Sequence, residues 1–297
     1  MKKFDPAARG SDTPRSLGQY LARKLGAGVV SLLRLNGGGF FSTEVVQQIQ
    51  SVCRIETEFG DILCRGGHGR LRWRAETFYT EEPQTVEWLG RIGPDAVFWD
   101  VGANVGLYSL YPAKKVGCRV LAFEPEAQNF ALLMENISLN GLQEYVRAAN
   151  IPLTRKFGVG TLLAHELTKG GAHNSFISGD PETGQETCSR RVKQVQFGVS
   201  MDELVFEHGF DCPSHVKIDV DGIEPEIIAG ADKVLSHDHM RHLLIEVETN
   251  IPEHLAMVTR IKEYGFCLVA QRSNWESRED RTLENTYPML NMVFEKN

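Results

Sequence analysis

Three acidic residues close apolar runs that read as strands. Asp100 follows Val97-Phe98-Trp99, Glu124 follows Val120-Leu121-Ala122-Phe123, and Asp219 follows Val216-Lys217-Ile218. Asp100 is followed by Val101 and then by the turn Gly102-Ala103-Asn104-Val105-Gly106. Gly102 can take a positive φ and lets a ligand approach the backbone, and the helix expected from Leu107 presents N–H groups at its N-terminus. A carboxylate in such a turn repels a pyrophosphate. It suits a ligand that carries an ammonium and a sulfonium and no phosphate, as S-adenosylmethionine (SAM) does. Glu124, followed by Pro125, lies one strand–helix–strand unit further on and can accept both hydroxyls of a ribose. The expected cofactor-binding set is therefore Asp100, Gly102, Ala103, Asn104, Gly106, Glu124, Pro125 and Asp219. A nicotinamide dinucleotide is the sharper rival, but Asn104 stands where G-x-G-x-x-G needs its second glycine. The bland alternative is a glycine turn with Asp100 capping the helix.

The second informative stretch is Lys217-Ile218-Asp219-Val220-Asp221-Gly222-Ile223-Glu224. In an extended chain Lys217, Asp219 and Asp221 share a face, so Lys217 can pair with a carboxylate. Gly222 permits a sharp turn, and Glu224 enters the next helix near its start. Alone, this segment reads as a solvated helix start with N-terminal acids. Beside Asp100 and Glu124 it completes a crevice at the carboxyl edge of a sheet. Transfer of a sulfonium methyl needs an acceptor held in line and a base for its proton. The candidate catalytic residues are Asp219, Glu224 and His173, the last on a glycine-rich loop, with Glu246 a further pocket candidate. Asp219, Asp221 and Glu246 could together suit Mg²⁺. No histidine stands at metal-motif spacing, so a metal-independent site is expected.

These residues need a scaffold of alternating strands and helices. Apolar strands at Val97–Val101, Arg119–Phe123, Tyr145–Asn150, His215–Val220 and Leu243–Val247 alternate with helical runs, and Cys267–Val269 and Met289–Phe294 close the chain. The fold class is α/β, a mostly parallel seven-stranded sheet with helices on both faces. The last pair is expected at an antiparallel edge. Residues 1–94 read as an N-terminal extension and 95–297 as the main domain. The extension comprises a polar arm, an amphipathic helix carrying Leu17, Leu21, Leu25 and Val29, a Gly37-Gly38-Gly39 linker, a hairpin turning at Gly60-Asp61, a strand at Leu71–Trp73 and a helix opened by Pro83. The amphipathic helix suits packing on the main domain or on a second copy, as a homodimer, better than a membrane surface. Two short strands are expected within residues 151–196.

The chain of 297 residues has a net charge of −7 and 24% charged residues. That balance gives a nucleic-acid partner no electrostatic support. Its cysteines, Cys53, Cys64, Cys118, Cys188, Cys212 and Cys267, are scattered without CxxC or zinc spacing. They fit reduced thiols in a cytoplasm. Met1-Lys2-Lys3 leads into a polar run unlike a signal peptide, and no apolar stretch has the length of a membrane span.

Taken together, the motifs resemble those of the FkbM-type SAM-dependent methyltransferases. The resemblance is carried by Asp100-Val101-Gly102-Ala103-Asn104-Val105-Gly106, Phe123-Glu124-Pro125, Asn136 with Asn140, Ser200-Met201-Asp202-Glu203-Leu204, and the stretch from Lys217 to Glu224. It implies a Rossmann-like class I methyltransferase fold, SAM as cofactor, and O-methylation of a hydroxyl on a sugar, glycan or natural product. Asp221 departs from the family's usual Glu, and Ile151-Pro152-Leu153-Thr154 departs from its small-residue, acid and glycine pattern. A nicotinamide-dependent oxidoreductase and a non-catalytic SAM-binding scaffold are the alternatives.

Overall fold

The computed structural model describes residues 51–66, 69–164, 170–171, 175–179, 192–273 and 289–296, with Lys24 and Gly28. His173 and the Gly37-Gly38-Gly39 linker lie outside the described residues. So does the expected amphipathic helix, apart from Lys24 and Gly28, which are helical and exposed.

A hairpin of β1 (Val52–Ile55) and β2 (Ile62–Arg65) comes first, as its Gly60-Asp61 turn predicts. It is followed by α1 (Gly69–Glu76), α2 (Phe78–Glu81) and α3 (Pro83–Leu89). The strand expected at Leu71–Trp73 is part of α1. Leu71 and Ala75 are buried one helical turn apart, and Arg72 pairs with Glu76 at the same spacing. A pattern of period four therefore overrode three residues that alternate locally.

The main sheet is built from β3 (Val97–Val101), β4 (Arg119–Phe123), β5 (Val146–Ala149), β9 (His215–Ile218), β10 (His242–Glu248), β11 (Phe266–Ser273) and β12 (Met289–Lys296). Its strand order is β11-β12-β10-β9-β3-β4-β5. Strands β5, β4, β3, β9 and β10 pair in parallel, and β12 runs antiparallel to both β10 and β11. Every residue of β3 is buried, as a parallel strand covered on both faces requires. Phe98, Val120 and Ala122 pack on one face against Leu110 and Leu133. Trp99, Val101 and Leu121 pack on the other against Leu204, Ile227 and Leu235. The first face also receives Ile55, Ile62, Leu71 and Trp88, so the segment before residue 95 shares a core with the sheet.

The connecting helices are α4 (Leu107–Val116), α5 (Ala127–Leu139), α6 (Met201–Phe206), α7 (Glu224–Ala229), α8 (Asp232–Ser236) and α9 (Pro252–Glu263). Ser200 and Glu203 form the capping box of α6. Asn136 and Asn140 on α5 hold the hairpin. Asn136 Oδ1 accepts from Arg65 N at 2.7 Å, and Asn140 Nδ2 donates to Leu63 O at 2.7 Å. Asn136 Nδ2 also donates to Val105 O at 2.8 Å, tying the hairpin to the β3 turn.

Between β5 and α6 lies a separate antiparallel sheet, where two short strands were expected. It contains β6 (Gly158–Ala164), β7 (Ser175–Ser178) and β8 (Val192–Gly198) in the order β7-β6-β8. Gln194 and Gln196 of β8 donate to Pro125 O, fastening this sheet to the end of β4. Among the described residues no helix is long and apolar enough to cross a membrane.

Candidate active site

Strand order reverses about β3, which has β4 on one side and β9 on the other. A crevice opens at the carboxyl ends of these strands. It is a cavity of about 480 Å³, within the ordinary range for small-molecule sites.

On the β3–β4 side the geometry is set by backbone. Gly102 has φ +86°, and a Cβ there would overlap the carbonyl oxygen of Asp219. Only glycine lets the ends of β3 and β9 come so close. The N–H groups of Gly102 and Ala103 both donate to Phe123 O, at 3.0 and 2.9 Å. Asn104 N donates to Glu124 Oε2 at 2.8 Å, Val105 N to Asn104 Oδ1 at 3.0 Å, and Gly106 N to Ala103 O at 2.8 Å. The turn thus uses its own N–H groups internally, unlike a loop that cradles a phosphate. Asn104 sits at φ 52°, and its Nδ2 donates to Gly171 O at 2.7 Å.

Glu124 is buried. Its Oε2 takes the Asn104 N–H and its Oε1 takes the Glu126 N–H at 2.8 Å. The Asn129 side chain is a third hydrogen-bonding neighbour, and acceptor capacity remains beyond these contacts. Burial pushes its carboxyl up to about 7, against the pull of those backbone N–H groups. Phe123, Ile151, Pro152, Leu153, Leu162 and Phe176 give this end of the cavity apolar walls.

On the β9–β10 side the geometry is set by charge. Lys217 is 1% exposed, and its Nζ donates to Asp219 Oδ2 at 2.7 Å. The ammonium also lies 5.2 Å from the centre of the Tyr108 ring. Burial favours a neutral lysine, but Asp219, Asp100 and Glu82 around it outweigh burial and hold it charged. Asp219 keeps 30% of its side chain exposed, toward the cavity. Burial opposes its ionisation, but Lys217 wins by charge and hydrogen bond and pulls its carboxyl below the ordinary value. The sequence expectation that Lys217 pairs with a carboxylate on its own face is met. Glu246, at the end of β10, also lines the cavity. Burial, then the carboxylates of Asp219, Glu224, Glu82 and Asp221, push it up to about 9, which favours its protonated form.

The expected set does not assemble as a whole. Gly102, Ala103, Asn104, Glu124, Pro125 and Asp219 line the cavity, together with Asp221. Asp100 does not. It lies inside β3, fully buried, and accepts from Ser109 Oγ at 2.5 Å, while its Oδ1 has no partner. It is one residue short of the strand end, so strand alternation turns it under the turn and toward Lys217. It is not a helix cap either, because Gly106 occupies the N-cap of α4. Gly106 is likewise no lining residue. Its φ of +87° and the side chain of Leu133 against it make it a packing glycine between α4 and α5.

Glu224 is the other correction. It is buried below the β9 turn, where its Oε1 accepts from Val220 N at 3.1 Å, and it does not line the cavity. Its Oε2 faces His254 Nε2 at 3.8 Å, and burial pushes its carboxyl up to about 7. Its fixed place supports the turn that carries Asp219 and Asp221, whose φ of 60° needs such support. Among the described residues no group of three or more His, Cys, Asp or Glu is arranged to hold a metal ion.

Sequence reasoning missed the wall contributed by residues 70–82. Arg70, Trp73, Arg74, Thr77, Phe78, Glu81 and Glu82 all line the cavity. Glu82 Oε2 accepts from Thr85 Oγ1 at 2.8 Å and from Asn291 Nδ2 at 3.2 Å. The signal for this wall was the helical spacing of the polar and aromatic residues from Arg70 to Thr77.

A twisted parallel sheet whose cavity sits at the switch point defines a Rossmann-like α/β protein with a small-molecule site. Residues 100–268 match the Methyltransferase FkbM domain, and the chain belongs to that family of methyltransferases. It is 25% identical over 202 residues to Methyltransferase sdnD of Sordaria araneosa, covering 59% of this chain and 75% of that protein. It is also 25% identical over 183 residues to Hexuronic acid methyltransferase AglP of Haloferax volcanii, covering 60% of this chain and 67% of that protein. Over 204 residues it is 24% identical to 31-O-demethyl-FK506 methyltransferase FkbM of Streptomyces tacrolimicus, with 60% of this chain and 75% of that protein covered.

Proposed function

We propose that the protein is a SAM-dependent O-methyltransferase acting on a hydroxyl of a sugar, glycan or natural product. The observation that carries this reading is the pairing, in one cavity, of Glu124 with open acceptor positions and Asp219 held ionised by Lys217. The similarity to AglP and FkbM, named for hexuronic acid and 31-O-demethyl-FK506, supports the acceptor class.

The site suits SAM on three counts. Glu124 keeps acceptor capacity for the hydroxyls of a ribose diol beyond its own contacts. The turn after β3 has no uncommitted N–H from Gly102 to Gly106 for a phosphate, which disfavours the dinucleotide alternative. The carboxylates at the cavity suit a cationic ligand, and the apolar wall of Ile151, Pro152 and Leu153 suits a flat base. Bound there, SAM supplies an electrophilic methyl group on its sulfonium.

The chain's own task is then to orient and deprotonate the acceptor. Asp219 Oδ2 is occupied by Lys217, while Oδ1 has no partner among the described residues and is free to take the acceptor's proton. An acceptor oxygen that is gaining a carbon substituent becomes far more acidic than a carboxylic acid, so a weak base such as Asp219 is sufficient. Asp100 and Glu82 position this base indirectly, by keeping Lys217 charged. Glu246, whose carboxyl burial and neighbouring carboxylates push toward the protonated form, can donate a hydrogen bond to the acceptor. Glu224 acts through the turn rather than on the substrate. His173 lies outside the described residues and is retained only as a second base candidate.

The test is calorimetric and isotopic. SAM and S-adenosylhomocysteine should bind with micromolar affinity, on the order of −8 kcal/mol, and NAD should not bind. Label from SAM should then appear in a base-stable ether on an acceptor. NAD binding in place of SAM would overturn the assignment.

A further inference from the structure

Arg70, Trp73, Arg74 and Thr77 recur at helical spacing and all line the cavity. The same helix turns Leu71 and Ala75 into the core and carries the Arg72–Glu76 pair on its exposed side. Helix α1 therefore has three distinct faces, one toward the core, one toward solvent and one toward the cavity. Arg74 is already engaged there. Its Nε donates to Gly170 O at 3.2 Å, and its charge acts on Asp219 and Glu82. Among the cavity's carboxylates, Asp219 and Glu82 act on Lys217, and both act with Asp221 on Glu246. Arg70, half-buried, has no carboxylate partner among the described residues.

A guanidinium withdrawn from water gains most from an anion, and its planar fork matches a carboxylate through two parallel hydrogen bonds. Trp73, in the same helical stripe, offers a flat apolar face with a polar edge. Such a face suits the C–H side of a pyranose ring. We infer that the acceptor is a pyranose bearing a carboxylate, with Arg70 reading the carboxylate and Trp73 the ring. This rests on the methyl-transfer reading above and names the substrate of that same site.

The test compares methyl β-glucuronide, methyl β-glucoside and glucose 6-phosphate by calorimetry on the full chain saturated with S-adenosylhomocysteine. The glucuronide should bind roughly 10- to 100-fold more tightly than the glucoside, the range of a charge-assisted bidentate contact. Arg70→Ala should bring the glucuronide down to the affinity of the glucoside, and Arg70→Lys should fall between. Arg72→Ala, on the exposed side of the same helix, should keep the full preference and so controls for folding. Equal affinity for the two glycosides, or binding of neither, overturns the inference, and tighter binding of the phosphate ester overturns the carboxylate. A protein that ignores S-adenosylhomocysteine instead sinks the cofactor reading. The glycoside comparison, repeated on the protein alone, then still decides the role of Arg70.

Discussion

At the β3–β4 side of the cavity, the N–H groups of residues 102–106 and the carboxylate of Glu124 hold one another in place, and glycine sterics set the spacing. At the β9–β10 side, shape depends on a buried lysine among carboxylates, with the proton count divided by environment: Asp219 is pulled down and Glu246 pushed up. Backbone geometry is cheap to keep, and on this side only the Glu124 carboxyl responds to pH. Such geometry suits a wall that must recognise the same ligand every time. Clustered side-chain charge is costly to bury but adjusts proton affinities, which is what a reacting centre needs. The two sides should therefore fail differently when altered.

The largest expected effect falls on the β9–β10 side. Asp219→Asn is nearly isosteric and keeps an oxygen for Lys217, so the fold and SAM binding should survive. Turnover should fall roughly 10²–10⁴-fold, the usual span for a positioned acid–base group. Single-turnover kinetics beside SAM calorimetry separates the two readouts. If affinity drops in step with turnover, Asp219 is a cofactor ligand, and the division between the two sides collapses.

Next comes the pH dependence of stability. Glu124 and Glu224 are pushed up to about 7 and Glu246 to about 9, all from an ordinary value near 4.5. Each therefore binds its proton more tightly folded than unfolded. Their stabilising contribution is complete below about pH 4.5 and is lost as pH rises, through 7 for the first two and through 9 for the third. The loss is at most roughly 3 kcal/mol for each of Glu124 and Glu224. The melting temperature of the ligand-free protein should fall steadily from pH 5 to pH 9. Glu246→Gln should abolish the fall between pH 7 and pH 9 and only lessen it below pH 7, where Glu124 and Glu224 still contribute. A profile that rises across this window would show that these carboxyls ionise freely.

The strands and their acidic ends were legible because parallel strands announce themselves as short apolar runs and their ends carry polar residues toward the crevice. That Lys217 could pair with a carboxylate on its own face followed from strand alternation, and the structure identifies Asp219 as that partner. Other features needed three-dimensional information. One position separates Asp100 from the strand end, and that register decides whether a carboxylate meets ligand or core. Glu224 opens α7, yet burial and its bond to Val220 N take it out of the cavity. The wall of α1 was hidden because Leu71–Trp73 is too short to reveal its period, and because Arg70 and Glu82 reach the cavity only through tertiary packing. The match to the FkbM domain begins at residue 100, beyond this wall.

A smaller effect is expected from Glu124→Gln. The amide keeps the shape but loses the charge, and its N–H₂ must face a backbone donor from Asn104 or Glu126. SAM affinity should weaken by about 1.5–3 kcal/mol, the worth of a charge-assisted hydrogen bond. Turnover at saturating SAM should change far less. This is the reverse of the pattern for Asp219→Asn, so finding the same pattern for both variants would break the comparison.

The smallest effect tests whether the β3–β4 wall is truly made of backbone. Asn104 contributes its N–H to Glu124, and among the described residues its side chain bonds to Gly171 O and its own neighbour Val105 N. Gly171 O has a second donor in Asn129 Nδ2 at 3.1 Å, so the segment stays anchored without Asn104. The φ of 52° is one that glycine adopts without strain. Asn104→Gly therefore loses one shared hydrogen bond, frees the Val105 N–H and gains backbone ease. These contributions are each about 1 kcal/mol and of opposite sign. SAM affinity should stay within roughly threefold of the parent, since the N–H that holds Glu124 is untouched. A tenfold loss in a folded variant would mean that the Asn104 side chain itself meets the ligand, and the wall would then be read by side chains on both sides of the cavity.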